Sequence, residues 1–242
     1  MMSKKMTFIY LIIAVLYVFT GCKENEETKL RKMGFGFEGI DFINAVKENN
    51  FRAVELFITG GININSMDKM GATALFYAAG SENNDMLKYL VGAGAETMVT
   101  DNSKRSLLHY AASANNLEAV LIFLQKGADP KWKDNFERDV LTTYLRGVKE
   151  ENLEIVTALI NSGADVNSRD VDRGTPLIYA AKNNFYESTK ILLENKASTL
   201  AKDHAGKTAL DYVIENYERK PDDPKLFELI SSYSSQEKEK LN

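Results

Sequence analysis

Few residues in this chain are placed to do chemistry. One cysteine, Cys22, and two histidines, His109 and His204, are its whole stock of thiol and imidazole groups. A single thiol closes no internal disulfide, and three such side chains scattered along the chain do not make a zinc or iron–sulfur site. No nucleophile elbow, phosphate loop or H-E-x-x-H helix is present. Carboxylates are plentiful, but Asp68, Asp101, Asp134, Asp170 and Asp203 follow one another at 33, 33, 36 and 33 residues. That spacing belongs to a structural repeat and not to an acid–base pair. No residue is therefore nominated as catalytic or metal-binding, and no small-molecule substrate or dissociable cofactor is expected. A formal charge of −4 and a pI near 5.4 give no bulk attraction for nucleic acid.

Cys22 gains its meaning from what precedes it. Met1-Met2-Ser3-Lys4-Lys5 is followed by an uncharged run from Met6 to Phe19, then Thr20-Gly21-Cys22. A basic start, a short apolar run and a small residue form a secretory signal. The run is shorter than the roughly 18–20 residues that span a bilayer as a helix. An uncleaved N-terminal anchor is the alternative reading. The junction Phe19-Thr20-Gly21-Cys22 resembles a bacterial lipoprotein processing box, with Phe19 standing where Leu is usual.

The resemblance implies cleavage after residue 21, a covalent lipid on Cys22 and export by the general secretory pathway. A free cysteine is the competing reading. The location implied is the cell envelope, lipid-anchored in the bilayer, with the outer membrane favoured by Lys23 and either the periplasmic face or the surface open. Removing residues 1–21 leaves 28 basic against 34 acidic residues. The domain should then not adhere to anionic lipid by itself, and residues 22–37 are expected to be the acylated cysteine and a polar tether.

The rest of the chain is organised by an internal repeat. Gly61, Gly94, Gly127 and Gly163 keep step with the aspartates; so do Thr73, Ser106, Asp139, Thr175 and Thr208, each followed two residues later by Leu. Several columns sharing one period and one three-residue insertion define the unit. Each unit reads as a polar turn, a Thr or Ser placed to cap a helix, a short Ala-rich helix, an Asn-containing turn, and a second helix ending at Gly-Ala.

The stretches Thr175-Pro176-Leu177-Ile178-Tyr179-Ala180-Ala181, Leu107-Leu108-His109-Tyr110-Ala111-Ala112 and Gly163-Ala164-Asp165-Val166-Asn167 resemble the ankyrin repeat. The resemblance covers 38–233 and implies an all-α solenoid of stacked helix–turn–helix units with hairpin-like tips. The expected units are 38–66, 67–100, 101–133, 134–169, 170–202 and 203–233, the first and last being caps, with 234–242 a flexible tail. It implies a structural role for His109, hydrogen-bonding between turn and helix, as well as for the caps Thr73, Ser106, Thr175 and Thr208.

The three extra residues lie between Leu141 and Leu153, about one helical turn. They are expected to lengthen the first helix of unit four, either as a tolerated insertion or as part of a binding face. A tyrosine column at Tyr77, Tyr110, Tyr179 and Tyr212, interrupted by Thr143, either packs along the inner helices or edges the concave face. Apolar residues on solvent-facing turns are the candidates for partner contact: Met70, Met98, Trp132, Phe136 and Val171. The alternative for Trp132 and Phe136 is packing against a neighbouring turn. The expected function is a non-catalytic, membrane-anchored scaffold that binds an unidentified protein. A structural or protective envelope lipoprotein and a surface-displayed host-interaction protein are the other readings.

Overall fold

A computed structural model describes residues 25–81, 84–219 and 224–241. The segment expected to be a secretory signal and Cys22 lie outside the described residues. Among those described, the chain forms thirteen helices and two isolated antiparallel bridges, Met67 with Thr73 and Thr100 with Ser106.

A leading helix, α1 (Glu26–Lys32), is followed by six pairs. These are α2 (Gly39–Lys47) with α3 (Phe51–Thr59), α4 (Ala74–Ala79) with α5 (Asn84–Gly92), and α6 (Leu107–Ser113) with α7 (Leu117–Gln125). Then come α8 (Val140–Gly147) with α9 (Leu153–Asn161), α10 (Pro176–Lys182) with α11 (Tyr186–Glu194), and α12 (Ala209–Arg219) with α13 (Lys225–Leu241). First helices stack on first helices and, from α5 onward, second helices on second helices. Each pair buries one apolar face against the next, so the core is a continuous slab. Phe42, Phe57, Phe76, Leu87, Phe123, Leu145, Leu159 and Leu192 are fully enclosed in it.

The two ends differ from the sequence expectation. Residues 22–37 are not simply a polar tether, because α1 packs on α3 and buries Leu30, while Phe35 closes over Phe57. Nor is 234–242 a loose tail. Helix α13 continues to Leu241, Ser234 is buried, and Glu237 accepts hydrogen bonds from Ser198 Oγ, Thr199 Oγ1 and the Thr199 N–H at 2.6–2.8 Å. Both ends of a solenoid need their outer layer covered, and these helices supply the cover.

Unit four also departs. Helix α8 has eight residues against seven in α6 and α10, so most of the insertion lies in the following turn and not in a longer helix. Tyr144 occupies a position that is Ala78, Ala111 and Ala180 in other units, and it is completely buried. Its hydroxyl accepts the Asn152 N–H at 2.6 Å and donates to Asn115 Oδ1 at 3.2 Å. The longer turn thus wraps a ring too large for the usual alanine site. Its Glu151 then caps the next unit, accepting the Ser188 N–H and hydroxyl at 2.9 and 2.5 Å where α11 has no side-chain cap of its own.

Candidate protein-binding face

The repeated aspartate builds each turn tip. In all five tips one carboxylate oxygen accepts the N–H groups two and four residues ahead: Met70 and Ala72 for Asp68, Ser103 and Arg105 for Asp101, Phe136 and Arg138 for Asp134. Asp170 and Asp203 do the same with Asp172 and Gly174, and with Ala205 and Lys207. Such turns carry the third residue after the aspartate into the left-handed region. Gly71 and Gly206 are free to go there, but Lys104, Glu137 and Arg173 also adopt φ of 57–59°. Gly174, next to Arg173, is not itself in that region. It is needed because a Cβ there would lie 2.5 Å from the Tyr179 hydroxyl.

The other carboxylate oxygen takes the tyrosine column. Tyr77, Tyr110, Tyr179 and Tyr212 donate to Asp68, Asp101, Asp170 and Asp203 at 2.5, 3.0, 2.6 and 2.6 Å. Burial and then the carboxylate acceptor push the hydroxyls of Tyr77 and Tyr110 up to about 12; for Tyr212 the Asp203 bond comes first, with the same result. Burial raises the carboxyls of Asp68, Asp134 and Asp203, but their donors outweigh it and hold them below the usual range.

A cation stands at each cluster, supplied from one of two positions or, in the last unit, from both. Arg105 and Arg138, four residues after their aspartates, contact Asp101 and Asp134 at 2.9 and 2.6 Å. Where that position is Ala72 or Gly174, the charge comes from the end of the preceding first helix instead. Lys47 lies 3.8 Å over the Tyr77 ring, and Arg146 donates to Asp170, Asp172 and Tyr179 at 2.9–3.2 Å. Lys182 and Lys207 both face the Tyr212 ring. Arg138 also lies 4.5 Å from the Phe136 ring centroid, while Thr143 replaces the tyrosine of unit four.

Neighbouring tips are joined by single backbone bonds: Asn102 N–H to Met70, Asn135 to Ser103, Val171 to Phe136 and His204 to Asp172, all 2.9–3.0 Å. This row presents Met70, Phe136 and Val171 to solvent, Phe136 being 53% exposed. Trp132 is 46% exposed, with its indole N–H donated to the Lys104 carbonyl at 2.8 Å, so the ring is positioned and half open. Met98 stands apart from the row. It occupies the register of Asn65 and Asn167, whose amides bridge to the next unit, and that bridge is missing where methionine replaces them.

The capping residues behave unequally. Thr175 Oγ1 accepts the Ile178 N–H at 3.3 Å, and Thr208 exchanges hydrogen bonds with Asp211. Thr73 begins α4, but its buried hydroxyl has no partner. His109 Nε2 lies 3.2 Å from the Arg138 carbonyl and so carries the proton, leaving Nδ1 to accept from Ser106 Oγ at 2.8 Å. The ring joins the tip of unit four to the helix of unit three. The alternating cations were not apparent from sequence. Their signal is a pair of columns, Lys47, Gly80, Ser113, Arg146 and Lys182 against Ala72, Arg105, Arg138, Gly174 and Lys207, complementary in all but the last pair, where both are lysine.

This arrangement of tips joined in a row beside stacked helix pairs is that of an ankyrin solenoid. The family profile for ankyrin repeats matches residues 42–134 and 145–231. The chain belongs to the ankyrin-repeat family, whose stacked units serve as protein-binding scaffolds. It is 24% identical over 178 residues to a mitochondrial disaggregase of Bos taurus, covering 72% of this chain and 21% of that protein. It is 30% identical over 172 residues to the B-cell lymphoma 3 protein homolog of Mus musculus, covering 69% and 38%. The potassium channel SKOR of Arabidopsis thaliana is 39% identical over 67 residues, 28% and 8% of the two chains. Each match takes in well under half of the relative's own length.

Proposed function

We propose that this protein is a non-catalytic scaffold of a bacterial cell envelope, lipid-anchored through Cys22, that recognises a protein partner through its tip row and concave wall. The observation that carries the binding part is the row Met70, Phe136 and Val171, held in register by tip-to-tip backbone bonds, with Trp132 half open beside it. Exposed aromatic side chains fixed by their own neighbours lose little freedom on contact and make effective anchors. The anchoring part is supported by the basic start, the uncharged run and Gly21-Cys22. Acyl chains contribute about 0.8 kcal/mol per buried CH₂, so two or more hold a protein at a membrane without a spanning helix.

Two experiments test the reading. Cys22→Ser should abolish lipid labelling and membrane retention; unchanged fractionation rejects the anchor. Crosslinked recovery of partners from intact cells should fall when Trp132 and Phe136 are both replaced by Ser, with circular dichroism and melting nearly unaltered. Undiminished recovery sends the partner to another face.

A further inference from the structure

We infer that the N-terminal end of the stack rests directly on the lipid surface, so that the solenoid stands end-on with unit six outermost. The inference builds on the reading of Cys22 as the acylated residue. Its basis is how few residues separate Cys22 from helix α1. Asn25 Oδ1 accepts the Thr28 N–H at 2.8 Å and caps α1, and α1 buries Leu30 against the domain. Only Lys23 and Glu24 separate Cys22 from this cap. Three peptide steps reach at most about 10–11 Å. With headgroup layers about 5–8 Å thick, such a leash cannot lift the domain clear of the surface or let it turn over freely.

A second observation lies at the same end. Met33, just after α1, is 38% exposed, and Ile40, in the first turn of α2, is 44% exposed. Among the described residues these side chains keep 38% and 44% of their surface open, and an interfacial bilayer region covers such apolar surface favourably. From Lys23 to Asp41 there are four basic and five acidic residues, so this end is close to neutral and is neither drawn to nor driven from anionic headgroups by charge.

The opposite end lies five unit spacings away, about 40–50 Å for helices packed 8–10 Å apart. The tips then rise from the membrane as a ladder, with Met70 lowest and His204 highest. A partner lying alongside the membrane is read from the surface upward.

The test uses full-length protein processed in a bacterial host and reconstituted into phosphatidylethanolamine–phosphatidylglycerol vesicles with an acceptor dye on the headgroups. Because acylation consumes the only cysteine, an introduced one is the single site for a donor dye. Met33→Cys, Leu121→Cys and Phe227→Cys place it at the proximal end, the middle and the distal end, all on exposed side chains. Energy transfer should be several-fold greater from position 33 than from 227, with 121 between. A Gly-Ser linker inserted between Lys23 and Glu24 should remove most of that gradient. Equal transfer from all three positions on vesicle-bound protein overturns the end-on placement and leaves acylation standing. Protein that fails to float with vesicles, or a Cys22→Ser variant that floats as well, removes the acylation reading and the placement with it.

Discussion

Arg146, the penultimate residue of α8, donates to Asp170 of the next unit at 3.0 Å, beside the Tyr179 hydroxyl for which Gly174 makes room. The carboxylate is wholly enclosed, whereas the guanidinium is partly in water. Removing the cation strands a buried charge that only Tyr179 and backbone N–H groups still serve. Arg146→Ala should lower unfolding stability by about 1.5–3 kcal/mol, the range for hydrogen bonds to charged groups. Denaturant titration reads this directly, and an unshifted midpoint would mean that Tyr179 alone suffices.

Gly174→Ala should be as damaging as the loss of Arg146, though it adds only a methyl. The new Cβ would fall 2.5 Å from the Tyr179 oxygen, so the ring must leave Asp170. Spectrophotometric titration should then find a tyrosine ionising at lower pH than in the parent. Identical titration curves would show that the ring stays in place.

Asp139 fills a column occupied elsewhere by Thr or Ser, and burial pushes its carboxyl above the ordinary 3.8. One oxygen caps Thr142, while Oδ2 has no partner. A raised folded value means that its contribution is present at pH below 3.8 and lost as pH climbs through that folded value. Asp139→Thr should therefore stabilise the protein at pH 7 by about 1 kcal/mol, the gain shrinking toward pH 4. Melting curves across that range check the sign; a loss at pH 7 rejects it.

Burial holds His109 below its ordinary 6.5, which the Arg138 carbonyl only partly counters. The unfolded chain takes up a proton near pH 6.5 that the folded chain refuses, so stability falls as pH drops from 6.5 toward the folded value. His109→Gln should flatten the melting temperature between pH 7 and 5 while lowering it at pH 7. Parallel curves for the two proteins would assign the acid sensitivity to other groups.

Tyr144→Ala restores the residue used in the other units but should cost about 3–5 kcal/mol, because the insertion has been shaped around the ring. Tyr144→Phe should cost much less and release the Asn152 amide to hydrogen exchange. Equal losses for the two variants would place the whole effect in the hydroxyl.

The solenoid itself was legible because repetition supplies its own controls: Asp68 to Asp203 and Tyr77 to Tyr212 recur in step, so their roles could be read jointly. What escaped occurs once or lies between units. Leu30 and Phe35 have no counterpart elsewhere, so a packed helix resembled a tether. Glu237 reaches back 38 residues to Thr199, a distance no local pattern reports. Arg146 and Gly174 look like unrelated substitutions until one sees that a helix end in one unit abuts the turn of the next.

The alternating cations also bear on how the stack comes apart. In a one-dimensional array, stability divides into a term intrinsic to each unit and a coupling to its neighbour. Arg105 and Arg138 weigh on the first, since each neutralises an aspartate of its own unit. Lys47 and Arg146 weigh on the second, since each serves the unit that follows. Ionic coupling between units thus runs through Lys47 where one meets two, Lys88 and Glu118 where two meets three, Arg146 where four meets five and Lys182 where five meets six, with cations partly open to water and weakened by salt. Raising ionic strength should loosen cooperativity at those seams, while the junction of units three and four, whose arginines neutralise aspartates of their own units, should be affected least.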